Sequence, residues 1–165
     1  MPKPIINMSE VPKIEHEHGE KYAAQFQFIS KQIGAQKLGY RITTLLPGKT
    51  AWPFHHHHVN EEMFFILEGE GTVRHGDQKY AIKKGDFISA VPGGSNVGHQ
   101  IINTSEHNLV YLCVSTMEDP DICEYPDSKK LAVFVGSAPG GDKAARALSG
   151  CWAKDDEIDY WRDED

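Results

Sequence analysis

From Tyr40 to Val114 the chain alternates short apolar segments with turn sequences, and no stretch there has the period of a long helix. The apolar segments are rich in β-branched and aromatic residues: YRITTLL, MFFIL, GTVRHG, QKYAI, DFISAV, HQIIN and LVYLCV. Turn sequences separate them at intervals of roughly 8–12 residues: PGK, EGEG, HGDQ, KKGD, PGGSN and NTSEHN. This pattern predicts an all-β sandwich or barrel.

The flanks of the predicted barrel differ from it in pattern. Residues 26–117 hold the regular β pattern, and residues 1–25 are predicted to form an irregular N-terminal arm because they are polar and carry three prolines. Residues 118–165 are predicted to form a C-terminal extension. It would hold one further strand, LAVFVGS, and an acidic tail whose apolar residues dock onto the barrel or a partner subunit: Trp152, Ile158 and Trp161.

Charge and composition exclude several classes of protein. The net charge of −7 makes nucleic acid a poor partner, and no apolar run is long enough to cross a membrane. The N-terminal sequence MPKPIINMSEVPK lacks the apolar core of a signal peptide, so a cytoplasmic location is expected. Cys113, Cys123 and Cys151 show no CxxC spacing and are interpreted as reduced thiols. No thiol nucleophile is predicted, since no histidine is paired with a cysteine along the sequence.

Four consecutive histidines, His55–His58, interrupt the β pattern. Successive side chains of a strand point to opposite faces, so His55 and His57 share one face and His56 and His58 the other. Only one pair can face the barrel interior. Two imidazoles at positions i and i+2 can converge on one point, which suits a pair of metal ligands.

Two further residues extend this pair to a candidate set of four metal ligands. Glu62 begins MFFILEG, where strand pairing could bring its carboxylate to the imidazoles, and His99 opens HQIIN after a Gly/Pro-rich turn. Three imidazoles and one carboxylate suit a divalent transition metal: Fe, Mn, Ni, Co or Zn. An octahedral ion would keep two positions open for substrate or water.

The stretch GKTAWPFHHHHVNEEMFFILEG, from Gly48 to Gly69, resembles the first motif of the cupin superfamily. That motif consists of a glycine, a spacer, HxH, three or four residues, Glu, six residues and Gly. The pair His55 and His57 leaves four residues before Glu62, and the pair one residue later leaves three. The resemblance implies that Glu62 is a ligand and favours the four-residue spacing. The later pair stays open as an alternative.

The stretch from Gly85 to Asn103 resembles the second cupin motif, with a Pro-x-Gly at Pro92 and an intact H-x3-N beginning at His99. Its turn is longer than the usual pattern. Downstream, YPDSKKLAV resembles an element of small single-domain bacterial cupins of uncharacterised function. The resemblance therefore implies a cupin-type jelly-roll β-barrel that holds a metal inside one end through His55, His57, Glu62 and His99.

The resemblance implies two classes of function and leaves the reaction open. The first is a metal-dependent enzyme, a dioxygenase, isomerase or lyase, acting on a small oxygenated substrate such as an organic acid or sugar derivative. The second is a non-catalytic small-molecule-binding module, a sensor or storage protein. A third interpretation is that the histidines are exposed and bind metal adventitiously. Because cupins commonly dimerise, a homodimer is expected, with the N-terminal arm at its interface.

Strand alternation also predicts which residues line the interior. Phe64 and Ile66 should share the side of Glu62, and Ile101 and Asn103 that of His99. Trp52 and Phe54 are candidates for the mouth of the site. An inward Arg41 could bind a carboxylate or phosphate, and an outward Arg41 is equally compatible with the pattern.

Overall fold

The computed structural model describes residues 2–164, and this part of the chain is almost entirely β-structure. The all-β prediction is therefore confirmed. The strands are β1 (Ile14–His18), β2 (Tyr22–Phe28), β3 (Leu38–Leu45), β4 (His56–His57), β5 (Glu62–Glu68), β6 (Glu70–His75), β7 (Gln78–Lys83), β8 (Phe87–Ala90), β9 (His99–Ile102), β10 (Leu109–Thr116), β11 (Asp121–Tyr125), β12 (Lys130–Val135) and β13 (Leu148–Ala153). The helices are single 3-10 turns: Met8–Glu10, Ser30–Ile33, Ser95–Val97, Pro126–Ser128 and Lys143–Ala145.

Three antiparallel sheets build the molecule. The first has the strand order β1-β2-β3-β10-β5-β8, the second β7-β6-β9, and the third β13-β12-β11-β4. The hydrophobic core lies between the first and second sheets. It is formed by buried side chains that both sheets contribute: Ala24, Phe26, Leu45, Phe64, Ile66, Val73, Ile82, Ile88, Ala90, Ile101, Leu109, Tyr111 and Cys113.

The two-residue alternation of the strands directs polar as well as apolar side chains into this core. On β5 the side chains of Glu62, Phe64 and Ile66 are buried, while the residues between them are more accessible. Ile101 and Asn103 are buried with His99. The predicted inward faces of both strands are therefore confirmed, and they place a carboxylate and an imidazole beside the apolar core.

The N-terminal arm is not irregular, because β1 and the first residues of β2 lie within residues 1–25. β2 pairs with β3 and buries Ala24 and Phe26 in the core. The sequence of β1, IEHEH, shows no apolar alternation because this strand lies at the sheet edge with both faces largely exposed.

The C-terminal extension contributes three strands where the sequence predicted one. β11 and β13 flank the predicted strand β12, and β11 also pairs with β4, which carries His56 and His57. The prediction missed β11 because prolines flank its short acidic sequence. The acidic tail does not dock onto the barrel of its own chain, because Ile158 and Trp161 are 62% and 71% exposed, and docking onto a partner subunit stays a prediction. No helix among residues 2–164 is long and apolar enough to span a membrane.

Candidate metal centre

Four side chains from three regions of the chain meet at one end of the barrel. His57 lies on β4, Glu62 begins β5, and His99 begins β9. His55 precedes β4 and is joined to His99 by two backbone hydrogen bonds of 2.8 and 3.2 Å. His57, Glu62 and His99 are buried, and His55 is half-buried. The structure therefore brings all four residues of the predicted ligand set together.

The three imidazoles converge on a single carboxylate oxygen. The Nε2 atoms of His99, His57 and His55 lie 3.1, 3.5 and 4.0 Å from Oε2 of Glu62. His55, Glu62 and His99 each offer one ligand atom within 4.8 Å of the others. This arrangement can hold one cation between nitrogen and oxygen donors.

The other ring nitrogens fix how two of the imidazoles are oriented. Nδ1 of His57 lies 2.7 Å from Oδ2 of Asp121, and Nδ1 of His55 lies 2.8 Å from the carbonyl oxygen of Pro53. Both partners are acceptors, so each Nδ1 donates its proton to them and each Nε2 is left to face Glu62. Such outer hydrogen bonds commonly orient metal-binding histidines. The donor set therefore fits a divalent transition metal.

The charges of the site are strongly coupled in the absence of a cation. Burial, together with the neighbouring His99 and His57, lowers the pKa of His55 to about 3. Burial would also lower the pKa of His57, but hydrogen bonds with Asp121, Cys123 and Glu62 raise it to about 12. Burial acts to raise the pKa of Glu62, but hydrogen bonds with His57 and His99 outweigh it and hold that pKa well below its usual range. A protonated His57 thus balances the buried carboxylates when no metal ion is bound.

The alternative histidine pair faces away from this site. His58 Nε2 lies 2.8 Å from Oε1 of Glu124, whose other oxygen accepts from Nζ of Lys154 at 2.6 Å. The rings of His56 and His58 are 5.3 Å apart on this opposite side. The division into two opposed pairs is as strand alternation predicts, and the pair that meets Glu62 is His55 and His57.

Sequence reasoning missed the contribution of β11. Asp121, Cys123 and Tyr125 alternate along one face of this strand, and all three contact the histidines. Sγ of Cys123 lies 3.2 Å from Nδ1 of His57, a contact between residues too far apart in the sequence for their pairing to be predicted. The ring of Tyr125 stacks on His55 at 6.0 Å. The alternation D-x-C-x-Y was the available signal, and the flanking prolines concealed it.

The YPDS element contacts residues that lie next to the site. Its Asp127 accepts two hydrogen bonds from Arg74, of 2.6 and 3.0 Å, and the guanidinium of Arg74 lies 3.7 Å from the ring centre of Phe54. Phe54 is buried by this contact and does not line the mouth. Trp52 does line the cavity, as predicted.

A small cavity of about 20 Å³ adjoins the candidate ligands, which is room for about one water molecule. Its walls are formed by polar and aromatic side chains from several strands: Arg41, Trp52, His55, Glu62, Phe64, His99, Gln100 and Tyr111. A larger recess of about 350 Å³ lies between β7 and β8, around Tyr80 and Phe87. None of the four candidate ligands lines that recess, so its larger size is no evidence that the recess is the functional site.

Comparison with known proteins gives a consistent result. Residues 41–115 match the family described as Cupin domain. The uncharacterized protein MJ1618 of Methanocaldococcus jannaschii is 36% identical over 74 residues, which cover 42% of this chain. The match spans 57% of the length of that relative.

Solved structures show the same fold. A cupin-superfamily sugar phosphate isomerase from Silicibacter pomeroyi has a TM-score of 0.76 and 18% identity, covering 93% of this chain and 94% of that one. A predicted oxalate decarboxylase from Thermotoga maritima has a TM-score of 0.60 and 26% identity, covering 68% and 97%. At 18% identity the first likeness establishes the fold alone.

Proposed function

Because residues 41–115 match the Cupin domain family, we propose that the chain is a metal-dependent enzyme that acts on a small oxygenated substrate, an organic acid or a sugar derivative. The metal would be held by His55, His57, Glu62 and His99. One observation carries the proposal: three imidazole Nε2 atoms converge on one oxygen of Glu62.

The chemistry of the donor set supports this assignment. The Nδ1 protons of His55 and His57 are committed to Pro53 and Asp121, so their Nε2 atoms are the ones that would bind a cation, and His57 would lose its Nε2 proton on binding. A divalent ion held there would supply Lewis-acid polarisation of a substrate oxygen or a lowered pKa of bound water.

The residues of the chain itself would position the substrate and limit water. Tyr125 covers His55 from the side of the extension, and Trp52 and Tyr111 form walls of the cavity. Asp121 holds His57 in one orientation, and its own Oδ1 accepts from the backbone amides of Val59 and Ile122 at 3.1 and 2.9 Å. A rigid donor set of this kind suits catalysis, which requires preorganised groups.

The proposal is tested by metal analysis followed by turnover. Purified protein is stripped of metal and reconstituted separately with Fe, Mn, Ni, Co and Zn, and each form is assayed against a panel of small organic acids and sugar derivatives. We expect stoichiometric binding and turnover with at least one metal. His99→Ala should abolish both, while His107→Ala, which changes an exposed loop histidine, should leave both unchanged.

Two results would contradict the proposal. If no metal binds stoichiometrically, the site is not a metal centre. If a panel compound raises the unfolding temperature of the metal-loaded protein and is never converted, the protein is a binding module.

A further inference from the structure

The guanidinium of Arg41 enters the cavity beside the candidate ligands. Arg41 lies on β3, opposite Cys113 of β10, and its side chain lines the cavity together with Glu62 and His99. Its Nε atom is sealed from solvent and has no hydrogen-bond partner among residues 2–164. The open question of its orientation is thus answered: Arg41 points inward.

Aromatic side chains hold this guanidinium in place. Its central carbon lies 5.5 Å from the ring centres of both Phe26 and Trp52. These two rings are themselves stacked, with centres 5.2 Å apart and planes inclined by 4°. Contacts with ring faces orient an arginine without using its N–H groups. The donors of Arg41 therefore remain available for an acceptor.

The other three arginines of the chain each donate to at least one acceptor, although Nε of Arg146 is sealed and unpaired like that of Arg41. Arg74 pairs with Asp127, Arg146 donates to the carbonyl oxygen of Ala138, and Arg162 pairs with its neighbour in the tail. Within residues 2–164, no carboxylate lies within ion-pair distance of Arg41, although Glu62 lines the same cavity. Arg41 is half-buried, and because a sealed N–H group without a partner is costly, its Nε favours an acceptor supplied by a ligand.

We propose that Arg41 is the substrate-binding residue of the site and that it binds the carboxylate of a small organic acid. This inference rests on the proposed metal-dependent function, because a divalent ion, Glu62 and Arg41 together leave the cavity with a net positive charge that an anion would balance. The planar fork of a guanidinium matches a carboxylate in shape. A flat carboxylate requires less widening of this cavity of about 20 Å³ than the bulkier phosphate of a sugar phosphate.

The test uses acetate as probe, acetamide as its neutral counterpart and inorganic phosphate as the competing anion. Binding is followed in metal-free and zinc-loaded protein through the indole N–H signal of Trp52 in NMR spectra, since this ring lies against Arg41. The variants are Arg41→Gln, Arg41→Lys and, as a control that removes the same charge from the exposed tail, Arg162→Gln.

Acetate should bind the wild type, and acetamide should not. Arg41→Gln should weaken acetate binding about 10- to 100-fold, as expected for loss of charge-assisted hydrogen bonds. Arg41→Lys should weaken it less, and Arg162→Gln should leave it unchanged. Without acetate, Arg41→Gln should unfold at a temperature close to that of the wild type, because the guanidinium makes no hydrogen bond and only its contacts with Phe26 and Trp52 would be lost.

Three results would overturn the inference. The first is unchanged acetate affinity in Arg41→Gln. The second is tighter binding of phosphate than of acetate, and the third is a marked fall in the unfolding temperature of Arg41→Gln, which would make Arg41 a structural residue. Metal content measured on the same samples separates the two proposals. Stoichiometric metal with acetate binding indifferent to Arg41 overturns only this inference. Arg41-dependent acetate binding by protein that takes up no stoichiometric metal overturns only the metal centre.

Discussion

At the scale of single residues, His57 is the most constrained member of the site. Its Nδ1 meets Asp121 at 2.7 Å and Cys123 at 3.2 Å, while its Nε2 faces Glu62. Asp121 is fully buried, and its Oδ1 is held by two backbone amides. The orientation of His57 is therefore set by the backbone of the C-terminal extension, acting through one carboxylate.

Asp121→Asn tests this positioning role. The amide is a poorer acceptor for the Nδ1 proton of His57, so metal affinity should fall about 10- to 100-fold, with unchanged stoichiometry at saturation. Glu124→Gln is the matched control. It removes a carboxylate charge from the same strand, but Glu124 contacts His58, which faces away from the site. Equal affinity losses in both variants, measured by competition with a chelator, would show that Asp121 acts only through net charge.

Gly69, the glycine that ends the first motif, is required by backbone geometry. Its φ of +81° is unfavourable for other residues, and a Cβ there would collide with the backbone of Asn108. Gly69→Ala should lower the free energy of unfolding by about 2–4 kcal/mol. Gly48 also has a positive φ, but a Cβ there would meet no neighbouring atom. Gly48→Ala should therefore lower the free energy of unfolding by only about 1–2 kcal/mol. Equal costs in urea unfolding would contradict the steric account.

Strand alternation in the sequence could separate the four histidines into two opposed pairs, because it depends only on local backbone geometry. It could not decide which pair faces inward, since a shift of one residue exchanges the two faces. That choice depends on pairing between β4 and β11, which are more than sixty residues apart. Asp121 could not be assigned to the site for the same reason.

At the scale of elements, β11 and the YPDS turn connect the extension to the barrel. β11 pairs with β4, and the turn after it joins Asp127 to Arg74 of β6. Arg74 in turn packs on Phe54, immediately before the histidines. The YPDS element therefore supports the wall of the site, with Tyr125 against His55 and Asp127 fixing Arg74.

Asp127→Asn should reduce the free energy of unfolding by about 0.5–1 kcal/mol at pH 7, a small value because the carboxylate is half exposed. The hydrogen bonds from Arg74 hold the pKa of Asp127 below its usual range. A lowered folded-state pKa gives stability that is present above the unfolded pKa and lost as the pH falls through the folded one. The difference from wild type should therefore shrink as the pH falls below about 4.

A double-mutant cycle that combines Asp127→Asn with Arg74→Gln tests whether Arg74 is the partner of Asp127. The two substitutions should be strongly non-additive at pH 7, because either one removes the same ion pair. Additive losses in chemical denaturation would contradict the coupling of the YPDS turn to the barrel.

At the scale of the whole molecule, the fold is a cupin-type jelly-roll barrel with a third sheet added by the extension. The barrel was predictable because its strands alternate and its turns carry glycine and proline. The third sheet was not, because it is assembled from pairings between distant, short and polar strands. A homodimer remains a prediction of the family resemblance, and β1 pairs with β2 of its own chain.

The exposure of the acidic tail predicts that it contributes little to stability. Its described residues from 154 onward are exposed, so deletion of residues 156–165 should change the free energy of unfolding by less than about 0.5 kcal/mol and leave metal content unaltered. Light scattering on both forms also measures the oligomeric state. A tail deletion that lowers stability or converts a dimer to a monomer would assign these residues to an interface.

The central claim is that a single metal ion is held by the inward pair of the four histidines. The most direct measurement is metal content, by inductively coupled plasma mass spectrometry, of wild type, His57→Ala and His58→Ala after reconstitution and removal of free metal. The account predicts one metal per chain in the wild type and in His58→Ala, and none in His57→Ala. Metal retained by His57→Ala and lost from His58→Ala would contradict it.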